Sequence, residues 1–162
     1  MANWKKIITG TGIGAGIAGI ITYLVRMKRT SVELETVVAA KIHSLAVDGL
    51  TVRVDLRLKN PTNNAFKIKF PFVKVLYEDK TIGSSQVINK DIQIPAYGEA
   101  VIDSIMIKMP ILSLLSVSAG LYNLLVNKKA VNLVIKTITT IDLGWKQLPY
   151  EKTDNINLKP AN

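Results

Sequence analysis

The chain has 162 residues, a formal net charge of +9 at pH 7 and a mean hydropathy of +0.25. It contains no cysteine and one histidine, His43, which excludes disulfides and cysteine nucleophiles and leaves a transition-metal site without its usual ligands. We therefore predict no bound metal and no cofactor.

An uncharged run of nineteen residues, 7–25, separates the start of the chain from the rest. Basic residues stand on both sides of it: Lys5, Lys6, Arg26, Lys28 and Arg29. As a helix the run is about 28 Å long, close to the thickness of a bilayer's hydrocarbon core. We predict an apolar helix in residues 1–30 that anchors the protein as a single-pass membrane protein, followed by a domain at 31–162.

Two other interpretations of this run stay open: a helix buried in a protein assembly, and a cleaved signal peptide. The similar basic charge on the two flanks also leaves the side of the membrane that holds the domain undecided. Small residues recur four positions apart in the run, which is typical of helices whose backbones pack closely. The glycines concerned, Gly10, Gly12, Gly14, Gly16 and Gly19, predict a helix-packing surface and a homo-oligomer formed through it.

Period-two alternation of apolar residues dominates the remainder of the chain. It is clearest at 50–59, where Leu50, Val52, Val54, Leu56 and Leu58 are expected to face a core. Other strands are predicted near 32–45, 66–70, 72–77, 82–88, 91–94, 100–109 and 130–142, with a short final strand near 156–158 left open. Pro71 predicts a bulge or a strand edge, and helical spacing after Pro110 predicts one helix. The predicted fold is mainly β, an antiparallel β-sandwich of about seven strands with one inserted helix.

Six basic residues are predicted to point outward from two successive strands: Arg53, Arg57, Lys59, Lys67, Lys69 and Lys74. If these strands pair, six cations share one surface with Asp55 as the acidic residue among them. Such a surface is either a solvated face that resists aggregation or a binding surface for acidic protein, anionic lipid or nucleic acid.

The alternating strand 50–58, followed directly by Asn60-Pro61, resembles the strand-plus-Asn-Pro signature of the WHy domain, the fold of group-2 late-embryogenesis-abundant proteins. Further segments follow in the family's order across residues 32–158: Val75-Leu76-Tyr77, Ile82-Gly83, and Ile94-Pro95-Ala96 with Gly98. Thr62 departs from the family's usual Asn. The resemblance implies a small β-sandwich without a catalytic site, often membrane-tethered and linked to desiccation and stress protection or to interaction.

The sequence lacks the patterns of a nucleophile elbow, a glycosidase or a phosphate-binding loop. We therefore predict no catalytic residues and a non-enzymatic, membrane-tethered binding or protective module. Residues 7–25 would contact the bilayer or an apolar protein partner. The alternative is a structural subunit of a large assembly, such as a phage virion or an envelope machine, with the glycine-rich helix packed against its partners.

Overall fold

The computed structural model describes residues 21–26 and 31–159, with side chains from Leu34 onward. This part of the chain contains ten strands and two helices. They are β1 (Ile21–Arg26), β2 (Ser31–Ala46), β3 (Gly49–Lys59), β4 (Phe66–Lys69), β5 (Phe72–Tyr77), β6 (Lys80–Ser84), β7 (Asp91–Ile94), β8 (Glu99–Pro110), α1 (Ile111–Val117), α2 (Ala119–Val126), β9 (Val131–Asp142) and β10 (Gln147–Leu158). Antiparallel pairing throughout confirms the predicted mainly β class. The strands number ten and not about seven, because residues 21–26 and the charged segment 147–155 also belong to strands.

The strands form two sheets. The first has the order β1-β2-β3-β8, and the second has the order β6-β5-β9-β4-β7, with β10 also paired to β9. Strands β4 and β5 lie end to end along one edge of β9, because Ile68 is opposite Ile141 and Phe72 is opposite Ile138. Strands β7 and β6 follow them on the far side, while β10 occupies the other edge of β9. The second sheet is thus four rows wide, like the first.

The break between β4 and β5 falls at Pro71. From Ile68 to Phe72 the chain advances four residues while its partner β9 advances three, from Ile138 to Ile141. Proline has no N–H to donate to the ladder, so an extra residue at this position costs little. The irregularity predicted at Pro71 is confirmed.

A single apolar core lies between the sheets. The five side chains predicted to face inward from 50–59 are all buried, with Val54 fully inaccessible to solvent. They share the core with inward residues of the second sheet such as Val73, Val75 and Ile135. Burial of one face of each strand is what the period-two pattern requires.

The predicted single helix is two helices. Ser118 has an extended backbone (φ −164°, ψ 118°) between α1 and α2, and its hydroxyl accepts the N–H of Leu121. Serine competes well for such an N-cap role, which explains the interruption. Leu114 from α1, and Leu121 and Leu125 from α2, are buried under the sheets.

The two ends of the sandwich differ. Thr36 near the start of β2 contacts Tyr150 near the start of β10, so both strands finish at the same end. That end, here called the helix end, carries α1, α2, the β2–β3 hairpin and the β5–β6 turn. The opposite end, the loop end, carries residues 60–65, 95–98 and 143–146.

The N-terminal helix prediction meets the described chain only at its last five positions. Residues 21–25 belong to β1, which pairs with β2 so that Ile21 is opposite Thr36 and Arg26 is opposite Ser31. At these positions the structure has a strand where the sequence predicts a helix. Residues 7–20, with the five candidate packing glycines, lie outside the described residues, and that prediction stays a prediction. Within the described residues, no helix has the length and apolarity needed to cross a membrane.

Candidate functional site

The buried side chain of Asn60 joins two segments at the loop end. Its Nδ2 donates hydrogen bonds to the carbonyl oxygens of Asn64 (2.8 Å) and Pro95 (3.0 Å). Its Oδ1 accepts from the N–H (3.0 Å) and the hydroxyl (2.6 Å) of Thr62. These four bonds use the full capacity of the amide. The Asn-Pro signature thus holds the loop at 60–64 against the turn at 95–98.

Backbone contacts complete this connection. The Asn60 N–H donates to the Gly98 carbonyl (2.8 Å), and the Tyr97 N–H donates to the Thr62 carbonyl (2.9 Å). A Cβ on Gly98 would lie 2.4 Å from Cγ of Pro95, which only glycine avoids. The motif residues at this end therefore have a structural role.

A cleft of about 480 Å³ opens beside Asn60. Its lining includes Glu35, Lys59 and Glu99, which are cross-strand neighbours on β2, β3 and β8. Tyr97 also lines it, largely exposed and held at a positive φ of 52°. The cleft offers alternating charges and one aromatic ring. Among the described residues, no three His, Cys, Asp or Glu side chains lie close enough together to hold a metal ion.

The single histidine stands apart from these groups. His43 is exposed on β2, where the pairing with β3 shifts register between Ile42 and Ser44. A bulge of this kind leaves one residue outside the ladder, and an exposed, hydrophilic side chain suits that position.

The six predicted surface cations do not share one face. A shared face requires β3 to pair with the following strand, β4. Instead, β3 pairs with β2 and β8, whereas β4 pairs with β7 and β9. Arg53, Arg57 and Lys59 therefore lie on the outer face of the first sheet. Lys67, Lys69 and Lys74 lie on the outer face of the second, across the sandwich. Sequence adjacency does not fix strand adjacency, because a chain can change sheets after a loop such as 60–65.

Three of these cations also have acidic partners. Arg53 Nε lies 2.9 Å from Oδ1 of Asp55, and Lys69 Nζ lies 2.6 Å from Oδ1 of Asp91. Arg57 Nε is 4.0 Å from Glu99 Oε2. Partial burial raises the pKa of Asp55, but the hydrogen bond from the Ser104 N–H and the charge of Arg53 outweigh it and lower that pKa overall.

Lys74 has a different environment from the other five. It is opposite Lys136 on β9, and its Nζ lies 5.8 Å from the centre of the Phe72 ring. Lys136 in turn forms an ion pair with Glu151 at 2.7 Å. The outer faces are thus mixed in charge, which favours the solvated-face interpretation over one continuous binding surface.

A group of polar side chains lies inside the sandwich, at positions where no functional candidate was predicted. This buried polar cluster consists of Thr36 on β2, Thr137 on β9, and Tyr150, Lys152 and Asp154 on β10. Lys152 Nζ lies 2.8 Å from Asp154 Oδ1 and donates a hydrogen bond to the Thr36 carbonyl. The hydroxyls of Thr36 and Tyr150 are 2.7 Å apart. The cluster joins β10 of one sheet to β2 of the other.

Burial controls the electrostatics of this cluster. Both charged side chains have no solvent-accessible surface. Desolvation lowers the pKa of Lys152 and raises the pKa of Asp154, and the attraction between them opposes both shifts. Within the described part of the chain, the Asp154 carboxylate and the Thr137 hydroxyl accept no well-directed hydrogen bond, so the ionic contact with Lys152 is the main compensation for Asp154.

The sequence carried a signal for this cluster. Alternate residues of β10 share its inner face, namely Tyr150, Lys152, Asp154, Ile156 and Leu158. Extending the apolar alternation backward from Leu158 therefore places both charges on that face. The apolar residues alone predict only a short strand near 156–158, whereas the structure extends it back to Gln147. A buried lysine and aspartate are rare unless they are paired.

Comparisons with known proteins bear on the fold. No family model and no curated protein matches the chain. The crystal structure of a protein from Archaeoglobus fulgidus is similar, with a TM-score of 0.53 and 7% identity over 77% of this chain and 96% of that chain. The solution structure of AT1g01470 from Arabidopsis thaliana gives a TM-score of 0.45 and 16% identity over 76% of this chain and 79% of that chain. The archaeal structure shows a shared β fold, and the WHy resemblance stays a prediction.

Proposed function

We propose that the protein is a non-catalytic β-sandwich module that is tethered to a membrane and acts through its exposed surfaces. The observation that carries this proposal is that the interior polar groups bind one another or the backbone. The Asn60 amide is saturated by the two segments it joins, and the Lys152–Asp154 pair is enclosed between the sheets. Groups enclosed in this way are not accessible to a ligand, which leaves binding to the surface.

The tether is supported by the uncharged run and its basic flanks. A full span of residues 7–25 and strand β1 exclude each other, because both use residues 21–25. With β1 formed, fourteen uncharged residues remain at 7–20. A helix of that length covers about 21 Å, less than a hydrocarbon core of about 30 Å. We therefore propose membrane anchoring by residues that precede β1, at the interface or at partial depth.

The tether is tested by charging the run in the full-length chain. Ile13→Lys with Ile17→Lys should move the protein from the vesicle fraction to the supernatant in a flotation assay, because buried lysines oppose insertion. The matched control, Ile13→Leu with Ile17→Leu, should float like the parent. Flotation of the lysine variant at the parental level would show that the run is not the tether. Alkaline carbonate should release an interfacial anchor and retain a full span.

The protective role rests on the WHy resemblance. It predicts that the full-length chain reduces leakage of dye from vesicles that are dried and rehydrated. Serum albumin at the same mass concentration is the control for non-specific protein effects. Equal leakage with both proteins would contradict the protective role. It would not contradict the proposal of a tethered binding module.

One observation favours the alternative, a structural subunit of a large assembly. Strand β2 is sixteen residues long, but β1 covers its outer edge only from Ser31 to Thr36. In the described part of the chain, the edge at 37–46 has no partner strand, and such an edge can accept a strand from another protein. Co-sedimentation with a large particle after detergent treatment would support this alternative, and release as a small species would contradict it.

A further inference from the structure

Apolar side chains are exposed together at the helix end. Val47 is 97% exposed in the β2–β3 hairpin, and Leu112 is 75% exposed on α1. The two elements touch, because the Ile111 N–H donates to the Asp48 carbonyl at 3.2 Å. Leu115 is one turn from Leu112 on the same side of α1. Leu45 is the last residue but one of β2, next to the hairpin. We call Leu45, Val47, Leu112 and Leu115 the apolar end patch.

Lysines are also exposed at the helix end. Residues 104–141, which include both helices, contain four lysines and no acidic residue. Lys108, Lys128 and Lys129 are exposed at the helix end, and Lys159 joins them because Leu158 pairs with Val131. The acidic residues at this end are Asp48 and the turn pair Glu78 and Asp79, with Lys80 beside that pair. Among the described residues, this end of the sandwich thus has five lysines and three acidic residues beside its exposed apolar side chains.

The direction of β1 points back toward the helix end. Strand β1 is antiparallel to β2, and β2 runs from the loop end to the helix end. The backbone therefore enters β1 at Ile21 from the side of the helix end. A segment before Ile21 that continued along the line of β1 would therefore approach the helix end and not the loop end.

From these observations we infer that the helix end is the face that rests on the membrane, with the apolar end patch in the headgroup region and the lysines on anionic lipid. Leucine and valine side chains beside lysines are the composition that binds such interfaces. This inference rests on the proposed tether, but it concerns a different surface of the protein and fails separately.

A site-specific probe tests the orientation. The chain has no cysteine, so one engineered cysteine carries the only label. An environment-sensitive fluorophore at Leu112→Cys should shift to the blue when the full-length protein meets phosphatidylcholine vesicles containing phosphatidylserine, and lipid-borne bromine should quench it. The same label at Trp145→Cys, 65% exposed at the loop end, should change little. A shift at position 145 instead, or no shift at 112 in protein that floats, would overturn the inference.

A matched pair of variants tests the energetics. Leu112→Glu with Leu115→Glu should lower the affinity for the anionic vesicles by at least about tenfold, since two apolar contacts are lost and two repelling charges gained. Val101→Glu with Met106→Glu changes two residues of similar exposure on the outer face of β8 and should leave binding unchanged. Equal binding by both variants would overturn the inference, whereas loss of flotation in the Ile13→Lys, Ile17→Lys variant concerns only the tether.

Discussion

The Lys152–Asp154 pair allows a quantitative test of how the sandwich is held together. Removing one partner leaves the other charge buried between β10 and β2, which costs about 3–5 kcal/mol in comparable sites. Domains of this size are stable by about 5–15 kcal/mol, so Lys152→Met or Asp154→Leu should remove a large share of the free energy of unfolding. For a domain near 130 residues this corresponds to a melting temperature lowered by roughly 10–20 °C.

Replacing both partners should reverse most of that loss. Lys152→Met with Asp154→Leu leaves no buried charge, and such apolar replacements are neutral or stabilising by about 1–4 kcal/mol. The double variant also releases the Thr36 carbonyl from its lysine donor, which offsets part of the gain. The four proteins form a double-mutant cycle with an expected coupling energy of several kcal/mol.

The two single variants should respond to pH in opposite directions. In Lys152→Met the pKa of Asp154, already raised by burial, loses the lysine that lowers it. The folded state then binds more protons than the unfolded state above pH ~4, so stability falls as pH rises through that window by up to about 1.4 kcal/mol per unit. In Asp154→Leu the pKa of Lys152 is lowered further, so stability is greatest above pH ~10 and falls as pH decreases.

Urea unfolding followed by circular dichroism at several pH values measures all four free energies. Each single variant losing less than about 1 kcal/mol would refute the burial of the pair. A double variant whose loss equals the sum of the two single losses would refute their interaction.

Three further predictions concern the loop end, the core register and the helix-end hairpin. Asn60→Asp should destabilise the domain by about 2–4 kcal/mol at neutral pH, because a carboxylate oxygen would face the Asn64 and Pro95 carbonyls. The loss should be smaller near pH 3, and an equal loss of melting temperature relative to the parent at both pH values would contradict this. Val54→Asp should unfold the domain, whereas Arg57→Gln on the outer face of the same strand should change its stability by less than about 0.5 kcal/mol. Similar thermal melts for the two variants would show that the register of β3 is wrong. Gly49→Ala should cost more than Gly120→Ala in the same unfolding assay, because a Cβ at 49 would lie 2.2 Å from the Met109 carbonyl oxygen, and the reverse order would contradict this packing.

Local sequence patterns predict most of the secondary structure of this protein. Alternation at 50–59 predicted both the strand and its buried face, because a half-buried strand leaves no other arrangement of its side chains. Pro71 predicted a break, since a residue without an N–H disturbs any ladder it enters. The helical spacing after Pro110 predicted the location of α1 and α2, although the cap at Ser118 divides them.

Which strands are neighbours depends on the packing of the whole domain. The six cations would share one face only if β3 and β4 paired, but the chain changes sheets between Lys59 and Phe66 and places them on opposite sides of the sandwich. Strand pairing over long separations depends on how the two sheets fit together, and a local pattern does not contain that information. The inward position of Lys152 and Asp154 has the same origin, because each charge is acceptable in the core only with the other beside it and Thr36 of the opposite sheet in reach.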